Sequence, residues 1–573
     1  MLGKQSAQVG MFQADYLYLD HVGRQTFYGF LAEHRGEIFR DEDFASLYCL
    51  NNGRNSVPPS LLATGLLLQT YDRVSDEGAV KRANFDVCWK VALGVGIEDR
   101  PFAKSTLQLF RAQLILHDGA RAMFQKSLAF ARETGYLKGR KIKAVLDTSY
   151  ILGRGAVKDT YNLLADGIGK LIGALAALSA SEPRAWAQGH GLARYYGSSI
   201  KGEASVEWDD EQARRVFLSG VVADADRLLK EARETVATYP QGSEPEQRIA
   251  QAAALLSQLL CQDVERRPDG AALRDGVAPD RIVSVHDPEM RHGRKSKKKR
   301  FDGHKAAVAV DPETQLITAA VVLPGNAPDA NEALELVEQA EANTGAEVEE
   351  TIGDCAYGDG VTRQAFVDAG RELVAKVPGS RNGQYFPKGD FVIDTAAMTC
   401  QCPAGHVTTA SPRGRRKDRT GRAQARWSFE FDGRVCGACP LRSACVAAGP
   451  GKGRTVSLHP QEALLQKARE LQASPEYGRY RKERQVAEHR LARVVQLGMR
   501  QARYFGRLKT LFQLFLASTV ANLTLVAVKT GLMRQRKADA SGSSFFGSRI
   551  RIALQALLTP FLGFRLRQNW VLG

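Results

Sequence analysis

The stretch AVLDTSYILG, from Ala144 to Gly153, carries the feature on which the fold prediction depends. From Lys141 to Leu146, charged and apolar residues alternate as they do in a half-buried β-strand. Asp147 follows where this strand is expected to end. An aspartate in such a position usually only closes the strand, because its side chain hydrogen-bonds to the local backbone. A chemical role for Asp147 therefore needs partners elsewhere in the chain.

The composition is that of a globular protein with an anionic partner. The 573 residues are too many for one core, and 44% hydrophobic with 25% charged residues fit an ordinary soluble protein. Lysine and arginine total 79 against 63 acidic residues, so the formal net charge is +16. This excess favours a polyanion, nucleic acid first, as the partner. The first residues lack the apolar core of a signal peptide, so we expect a cytoplasmic protein.

One apolar stretch, Leu511 to Val528, is nearly long enough to span a membrane. Polar residues interrupt it, namely Gln513, Ser518, Thr519, Asn522 and Thr524. We therefore predict a buried helix of a globular core and no membrane partner.

Helical and strand signals alternate along the chain and predict a mixed α/β core with helical regions around it. The predicted segments are an N-terminal helical domain at 1–136, the first strand and start of the core at 137–158, a helical insertion at 159–269, the continued core at 270–395, a Cys-rich insertion at 396–455, the C-terminal helices of the core at 456–535, and a basic tail at 536–573. The helical domain at 1–136 is either a plain bundle or a domain that binds DNA ends, and helical periodicity does not separate the two.

A second acid follows a strand signal further along the chain. Strands are expected at Arg281–Asp287, His304–Asp311 and Gln315–Asn326. After a helix, the stretch EVEETIGDCAYGDG (Glu347–Gly360) places Asp354 at the end of another strand. Two strand-terminal aspartates in one α/β domain can converge on a single site.

A third acid lies on a late helix. In YRKERQVAEHRLARV (Tyr480–Val494), Tyr480, Arg484 and Glu488 are spaced i, i+4 and i+8 and share one helical face. On the helix alone, Arg484 and Glu488 indicate a solvated ion pair. Glu483 is the alternative acid, although it lies one residue off the Arg484 side.

Together these residues resemble the DDE transposases of bacterial insertion sequences, which have an RNase H-like catalytic core. LDTSY (Leu146–Tyr150) resembles the strand of the first aspartate, DCAY (Asp354–Tyr357) the second-aspartate motif, and Arg484-x-x-x-Glu488 part of the third-acid signature. The stretches GNAPDANEA and ARYFGRLKTLFQLFLASTVANLTLV are also similar to this family, as is the front end from VPPSLLATGLLL to DRPFAKSTLQLFR. The resemblance covers most of the chain.

The resemblance implies an RNase H-like α/β core, a mixed sheet flanked by helices, interrupted by the helical and Cys-rich insertions and preceded by an all-α, DNA-binding domain. The implied site residues are Asp147, Asp354 and Glu488 as catalytic acids, with Tyr480 and Arg484 in support. Two positions depart from the family pattern. Tyr480 is one residue further from Arg484 than usual, and Val495 stands where the family has lysine. Glu483 therefore stays open as the third acid.

Three acids also suit phosphodiester cleavage on chemical grounds alone. Two Mg²⁺ ions about 3.5–4 Å apart can activate a water or a 3′-hydroxyl and stabilise the leaving oxygen. Mg²⁺ takes hard oxygen ligands and keeps several waters, so a few carboxylates plus a substrate phosphate are enough. We therefore expect the three acids to hold Mg²⁺, with Mn²⁺ as an alternative.

A basic run, MRHGRKSKKKRFDGHK (Met290–Lys305), is the strongest charge signal, with seven Lys or Arg among the ten residues from Arg291 to Arg300. It is either a solvated hairpin tip, a contact for the DNA backbone, or both. The predicted DNA-binding residues are Arg291, Arg294, Lys295, Lys297, Lys298, Lys299, Arg300 and Lys305.

Two cysteine groups, TCQCPAGH (Thr399–His406) and CGACPLRSAC (Cys436–Cys445), lie between the second and third acids. Their spacing is typical of a zinc ribbon in a cytosolic protein. The preferred Zn²⁺ ligands are Cys402, Cys436, Cys439 and Cys445, with Cys400 or His406 as substitutes. A reduced thiol cluster without metal is the alternative.

The main hypothesis is a DDE transposase that binds double-stranded DNA at the ends of its element, as a homodimer or higher oligomer, cuts it with Mg²⁺ and joins the ends to a target. One alternative is a nuclease of the same fold without strand transfer. Another is a non-catalytic DNA-binding or regulatory protein derived from a transposase. The presence of all three acids favours the two catalytic interpretations.

Overall fold

The computed structural model describes residues 1–5, 13–49, 53–296, 298–379, 381–417 and 423–533. Lys297 and the basic tail predicted at 536–573 lie outside these residues. Before the first strand, the described residues form seven α-helices and a 3₁₀ turn at Asp41–Leu47. The helices are α1 Ala14–Val22, α2 Phe27–Ile38, α3 Pro59–Asp72, α4 Asp76–Phe85, α5 Val87–Leu93, α6 Lys104–Leu116 and α7 Gly119–Glu133.

Local sequence sets several of these helix starts. α3 begins at Pro59, where the missing backbone N–H of proline costs nothing. Ser75 and Asp86 cap α4 and α5, because their side chains accept hydrogen bonds from backbone N–H groups of the first turn. The apolar residues of these helices belong to one continuous core with the central sheet. The N-terminal helices are therefore packed onto the rest of the protein.

The first strand, β1 (Lys141–Leu152), is followed by a helical insertion with a hydrophobic core of its own. Its elements are α8 Thr160–Ala176, α9 Pro183–Gly189, α10 Ile200–Glu203, α11 Glu211–Val236, α12 Glu244–Asp263, β2 Val264–Arg267 and β3 Gly270–Leu273, with 3₁₀ turns at Ala177–Ser179 and Ala193–Tyr196. Ile168, Val221 and Leu256 are fully buried where α8, α11 and α12 meet.

The chain then returns to the central sheet. The elements are β4 Arg291–Arg294, β5 Arg300–Val310, β6 Ile317–Pro324, α13 Ala333–Thr344, β7 Glu347–Gly353, a 3₁₀ turn at Cys355–Tyr357, α14 Gly360–Asp368 and β8 Leu373–Ala375. The sheet has six strands in the order β4-β5-β1-β7-β8, with β6 also paired to β5. β1, β5 and β6 are antiparallel, whereas β1, β7 and β8 are parallel. This mixed sheet with flanking helices fits the expected α/β RNase H-like core.

Two strand predictions were wrong. β1 does not end at Asp147 but runs on to Leu152, because its second half pairs with β5 as far as Gly303. The segment Arg281–Asp287 is not a strand, although Ile282, Val283 and Val285 are buried. The backbone of Ile282 is hydrogen-bonded to a side chain instead of a strand. Gln262 of α12 accepts from the Ile282 N–H and donates to the Ile282 carbonyl.

The Cys-rich region is built on a second, antiparallel sheet in the order β13-β12-β11-β10-β9. Its elements are a 3₁₀ turn at Lys388–Asp390, β9 Val392–Asp394, β10 Thr399–Gln401, β11 Val407–Lys417, β12 Ala423–Glu430, α15 Gly433–Gly437, α16 Arg442–Cys445 and β13 Thr455–Leu458. Phe391, Phe429 and Phe431 form its small core.

Three helices close the described chain: α17 Glu462–Ala473, α18 Tyr477–Val494 and α19 Arg507–Lys529, with a π-helical turn at Val495–Met499 between the last two. Among the described residues, α19 and the segment Thr160–Ser179 are long and apolar enough to cross a membrane. However, 72% of the apolar window of α19 is buried inside the protein, where it packs against α3, α7 and β6. α19 is thus a core helix, as its interrupting polar residues predicted.

The buried Asn522 ties α19 to the edge of the sheet. Its side chain accepts from the Ile317 N–H at 3.0 Å and donates to the Ile317 carbonyl at 2.8 Å. We expect Asn522→Leu to lower the urea-denaturation midpoint, because each buried backbone group left without a partner costs about 1–3 kcal/mol. Thr524→Val on the same helix is the control, since the Thr524 hydroxyl bonds only to carbonyls of α19. Equal midpoints for both variants would contradict this role.

Candidate active site

The register of two parallel strands brings the two aspartates side by side. Val145 of β1 pairs with Ile352 of β7, so two residues further along each strand Asp147 meets Asp354. Asp354 is the first residue after β7, and its side chain accepts from the Ala356 N–H at 2.8 Å. Asp147 accepts from the Thr148 N–H at 2.8 Å. Both carboxylates are thus fixed by their own backbones at one point of the sheet.

The third acid shares the electrostatic field of Asp147. The pKa of Asp147 is raised to about 6, mainly by burial and also by the negative charges of Asp354 and Glu488, against the Thr148 N–H and the charge of Lys295. A cation between the carboxylates would offset the like charges that act on Asp147. The charges of the two other predicted acids thus act on Asp147, and the assignment of all three as catalytic acids stays a prediction.

The helix α18 presents its two glutamates to different surroundings. Glu488 is exposed and forms an ion pair with Arg484 at 2.8 Å, as the i, i+4 spacing predicted. Glu483 forms an ion pair with Lys143 at 3.2 Å, and Lys143 also pairs with Glu350 at 3.0 Å. Glu483 is thus committed to a surface network near the start of β1, whereas Glu488 lies within the field of Asp147.

A cleft opens beside Asp354, between the ends of β7 and β8 and the first turns of α18. Its polar lining residues are Asp354, Cys355, Lys376, Gln472, Ser474, Tyr477, Tyr480, Arg481 and Arg484. The Tyr480 hydroxyl donates to Glu476 at 3.4 Å, and its pKa is raised to about 12, mainly by burial and also by the nearby Glu350, so Tyr480 stays neutral. Both supporting residues, Tyr480 and Arg484, therefore line the cleft that contains the second aspartate.

Tyr357 adds a hydroxyl that the sequence did not single out as a site residue. Its ring is buried in the core, and within the described residues its hydroxyl has no hydrogen-bond partner. Burial raises the pKa of Tyr357 well above its usual value, and the charges of Asp147, Asp329 and Asp354 raise it further. A buried donor among three carboxylates is suited to a water or ion-bound oxygen at this site. Asp329 was also missed as a site residue.

The donor set suits a hard cation such as Mg²⁺, which prefers carboxylate oxygens. In the described part of the chain, no three His, Cys, Asp or Glu side chains are yet gathered closely enough to hold a metal ion. Glu488 instead contacts Arg484, with half of its side chain exposed. An exposed i, i+4 ion pair contributes only about 0.3–0.5 kcal/mol, so turning Glu488 toward the aspartates costs little.

The basic run forms a hairpin between β4 and β5. Five of its side chains are exposed, and none of them is in an ion pair within the described residues: Arg294, Lys295, Lys298, Lys299 and Arg300. Two other predicted DNA contacts are already engaged. Half-buried Arg291 donates to the carbonyls of Pro288 and Met290, and Lys305 forms an ion pair with Asp329 at 2.6 Å.

The preferred cysteines lie around one small pocket. Cys402, Cys436, Cys439 and Cys445 line it together with His406. Burial raises the pKa of Cys445, and the neighbouring thiols of Cys436, Cys402 and Cys439 raise it further. Cys400 is fully buried elsewhere in the small core, and burial raises its pKa to about 11. The thiols are free, and the described residues hold no ready-made metal cluster here either.

Comparison with known families gives two matches. A family model described as "Transposase DDE domain" matches residues 401–527, which include Arg484 and Glu488. A model described as "Transposase domain (DUF772)" matches residues 20–113, within the N-terminal helices. Both matches support an insertion-sequence DDE transposase. No curated protein and no solved structure matches this transposase.

The family matches and the geometry cover different parts of the transposase. The DDE match spans β11 to β13 of the Cys-rich sheet, α17, α18 and most of α19, but it begins after Asp147 and Asp354. The assignment of the two aspartates therefore depends on the β1–β7 register and on the shared charge field described above.

The raised pKa of Asp147 makes a prediction for the metal-free protein. Its pKa is 3.8 ordinarily and about 6 in the folded state. The free energy of unfolding therefore falls as the pH rises from 3.8 through about 6. Asp147→Asn should therefore melt at a higher temperature than the wild type at about pH 7.5, with the difference vanishing near pH 4. Millimolar Mg²⁺ should raise the melting temperature of the wild type and leave that of the variant unchanged. A variant that melts lower without metal at pH 7.5 would refute this assignment.

Proposed function

We propose that this transposase binds the ends of its insertion sequence as a homodimer or higher oligomer, cleaves the DNA there in a Mg²⁺-dependent reaction, and joins the ends to target DNA. One observation carries the proposal: two backbone-fixed aspartates and a helix-borne glutamate share one electrostatic field. Such a set has little structural value, because like charges at close range destabilise a fold. It is well suited to holding divalent cations against a phosphodiester.

Asp147, Asp354 and Glu488 would hold the metal. Bound Mg²⁺ supplies activation of the attacking hydroxyl and stabilisation of the leaving oxygen. The rigid strands keep Asp147 and Asp354 in place, while the exposed Glu488 on α18 can approach from the side. Since the pKa of Asp147 is about 6, its carboxylate is fully ionised only above that pH.

Arg484 would exchange its ion-pair partner Glu488 for a phosphate of the substrate. In the free protein it neutralises Glu488 at 2.8 Å and lines the cleft beside Asp354. Once Glu488 turns toward the metal, the guanidinium is released to contact a substrate phosphate, for which its planar donors are suited. Tyr480 would position this part of α18 by packing its buried ring into the core.

DNA would lie across the exposed cations of the β4–β5 hairpin. Lys295 connects this surface to the acids, because its charge acts directly on Asp147. Arg294, Lys298, Lys299 and Arg300 extend the same surface, and each neutralised phosphate adds about 0.9 to the slope of log affinity against log salt. Lys297 was predicted as part of this run and lies outside the described residues. Arg291 and Lys305 would act through the fold, since their donors are already occupied.

Charge removal at the three acids tests the mechanism. We expect Asp147→Asn, Asp354→Asn and Glu488→Gln each to abolish Mg²⁺-dependent nicking and joining of donor DNA, since each removes a charge that offsets the metal. DNA binding should persist, because it depends on lysine and arginine. Combining the substitutions should add little further loss, as residues of one site are lost together.

Glu483→Gln is the matched control on the same helix. It breaks the pair with Lys143 but touches none of the acids, so activity should remain. Loss of activity in Glu483→Gln with full activity in Glu488→Gln would transfer the third role to Glu483. Cleavage without joining in the wild type would identify a nuclease, and binding without cleavage a regulatory DNA-binding protein.

We also propose that the cysteine pocket holds a structural Zn²⁺, on the ground that four thiols and one imidazole face the same small space. Elemental analysis should give about one zinc per chain, by the four-ligand pattern of structural sites. Cys439→Ser should lose the metal, whereas Cys261→Ser, an exposed cysteine of α12, should retain it. Well-folded wild type without zinc would identify a bare thiol cluster.

A further inference from the structure

Tyr150 lies three residues beyond Asp147 on β1 and carries two cations on its ring. The Arg500 guanidinium carbon is 3.9 Å from the ring centroid, and the Lys299 ammonium is 5.0 Å from it. The ring of Phe301 packs alongside, with centroids 5.2 Å apart. Tyr150 itself is only half-buried, so this arrangement opens to solvent.

Arg500 is held in place by the end of β1. Its Nη1 donates to the Tyr150 carbonyl at 2.8 Å and to the Ser149 hydroxyl at 3.3 Å. The Leu152 N–H donates to the Arg500 carbonyl at 2.9 Å, and the Leu152 carbonyl accepts from Ala502 at 2.8 Å. Just before it, Gly498 has φ 105°, a backbone conformation that favours glycine and lets the chain turn out of α18. The guanidinium is therefore preorganised.

Positive charge accumulates here without an acidic partner. Within the described residues, Lys295, Lys299 and Arg500 are in no ion pair. Lys299 is the largest cause that lowers the pKa of Tyr150, and the charges of Arg500 and Lys295 act in the same direction. Two unpaired cations on one ring, with the charge of Lys295 added, repel each other unless an anion joins them.

The free donors around Tyr150 match a tetrahedral oxyanion. The Lys299 ammonium lies over the Tyr150 ring, 5.0 Å from its centroid, so the hydroxyl hydrogen remains available to an acceptor. Arg500 uses only Nη1 in its recorded bonds, which leaves Nε and Nη2 as donors. A guanidinium, an ammonium and a hydroxyl on one surface are typical of phosphate recognition.

We propose that Tyr150, Lys299 and Arg500 bind one backbone phosphate of the DNA, distinct from the phosphodiester that the acids cut. Tyr150 lies three residues, about 10 Å, beyond Asp147 on β1, and because side chains alternate along a strand it lies on the other face of the sheet. The charge of Lys295 acts on both Asp147 and Tyr150 and links the two positions electrostatically. The proposal rests on DNA being the substrate, and it assigns Tyr150 and Arg500 to positioning that DNA.

The test is a methylphosphonate scan, in which one backbone phosphate at a time loses its charge. Duplexes carrying the terminal sequence of the element would be bound and cleaved by the full-length wild type, Arg500→Gln, Tyr150→Phe and Lys230→Ala. For the wild type, one position close to the cut should weaken binding about tenfold or more, the range for a hydrogen bond to a charged group. Arg500→Gln should bind the duplex with the neutral phosphate at that position as tightly as the unmodified duplex. Its slope of log affinity against log salt should be lower by about 0.9.

Two variants separate this site from a general effect of charge. Tyr150→Phe keeps the ring on which Arg500 stacks and removes only the hydroxyl, so it should reduce the penalty at the same position while melting like the wild type. Lys230 is an exposed lysine of α11, and Lys230→Ala should keep the full penalty. Cleavage by Arg500→Gln should also spread to neighbouring bonds if the phosphate sets the register.

The outcomes distinguish the inference from the proposed function. If the wild type discriminates a position and Arg500→Gln retains the same penalty there, the phosphate site is wrong while cleavage stands. If the wild type does not cleave DNA, or if Asp147→Asn cleaves as well as the wild type, the proposed transposition reaction is wrong. If Lys230→Ala also lost the affinity penalty of the neutral phosphate, the phosphate site would be wrong, because the overall protein charge would then explain the effect.

Discussion

The parallel pairing of β1 with β7 is the constraint on which the rest of the site depends. Side chains alternate between the two faces of a sheet, so a register slip of one residue would place Asp147 and Asp354 on opposite faces. The pair Val145 and Ile352 sets the correct register within a buried core. The long helical insertion leaves it intact, because β5 returns antiparallel beside β1 and the insertion keeps a core of its own.

The electrostatic cost of the site falls on the two strand-borne aspartates and much less on Glu488, which lies on an exposed helix. The two aspartates have no freedom to move apart, so burial and mutual repulsion appear in the raised pKa of Asp147. Glu488 avoids this cost in the free protein by pairing with Arg484 in solvent. Lys295, on the neighbouring hairpin, offsets part of it from the opposite side. The site is thus balanced for a cation that arrives together with an anionic substrate.

Local sequence was sufficient to find what local physics determines. Strand alternation placed Asp147 on a strand and Asp354 at a strand end, as the structure has them, and helical periodicity predicted Glu488 over Glu483 as the third acid, which stays a prediction. The length of β1 was missed, because half of its ladder is formed with β5, more than a hundred residues away in sequence. Arg281–Asp287 was wrongly predicted as a strand, because a buried irregular segment has the same pattern of apolar residues. Tyr357 stands in the second-aspartate motif but was not predicted as a site residue, and Arg500 gave no local signal, because its role arises only from tertiary neighbours.

The shared core of the N-terminal helices and the sheet has a mechanical consequence. Phe124 of α7 packs on Phe515 of α19 with centroids 5.5 Å apart, and α19 in turn covers β6. Because the two parts share one hydrophobic core, we expect them to move together. If helices α1–α7 bind the ends of the element, the fold fixes the distance between that DNA-binding surface and the catalytic acids. New end sequences must then be accommodated by surface changes on α1–α7, since exchanging these helices as a module would split a hydrophobic core.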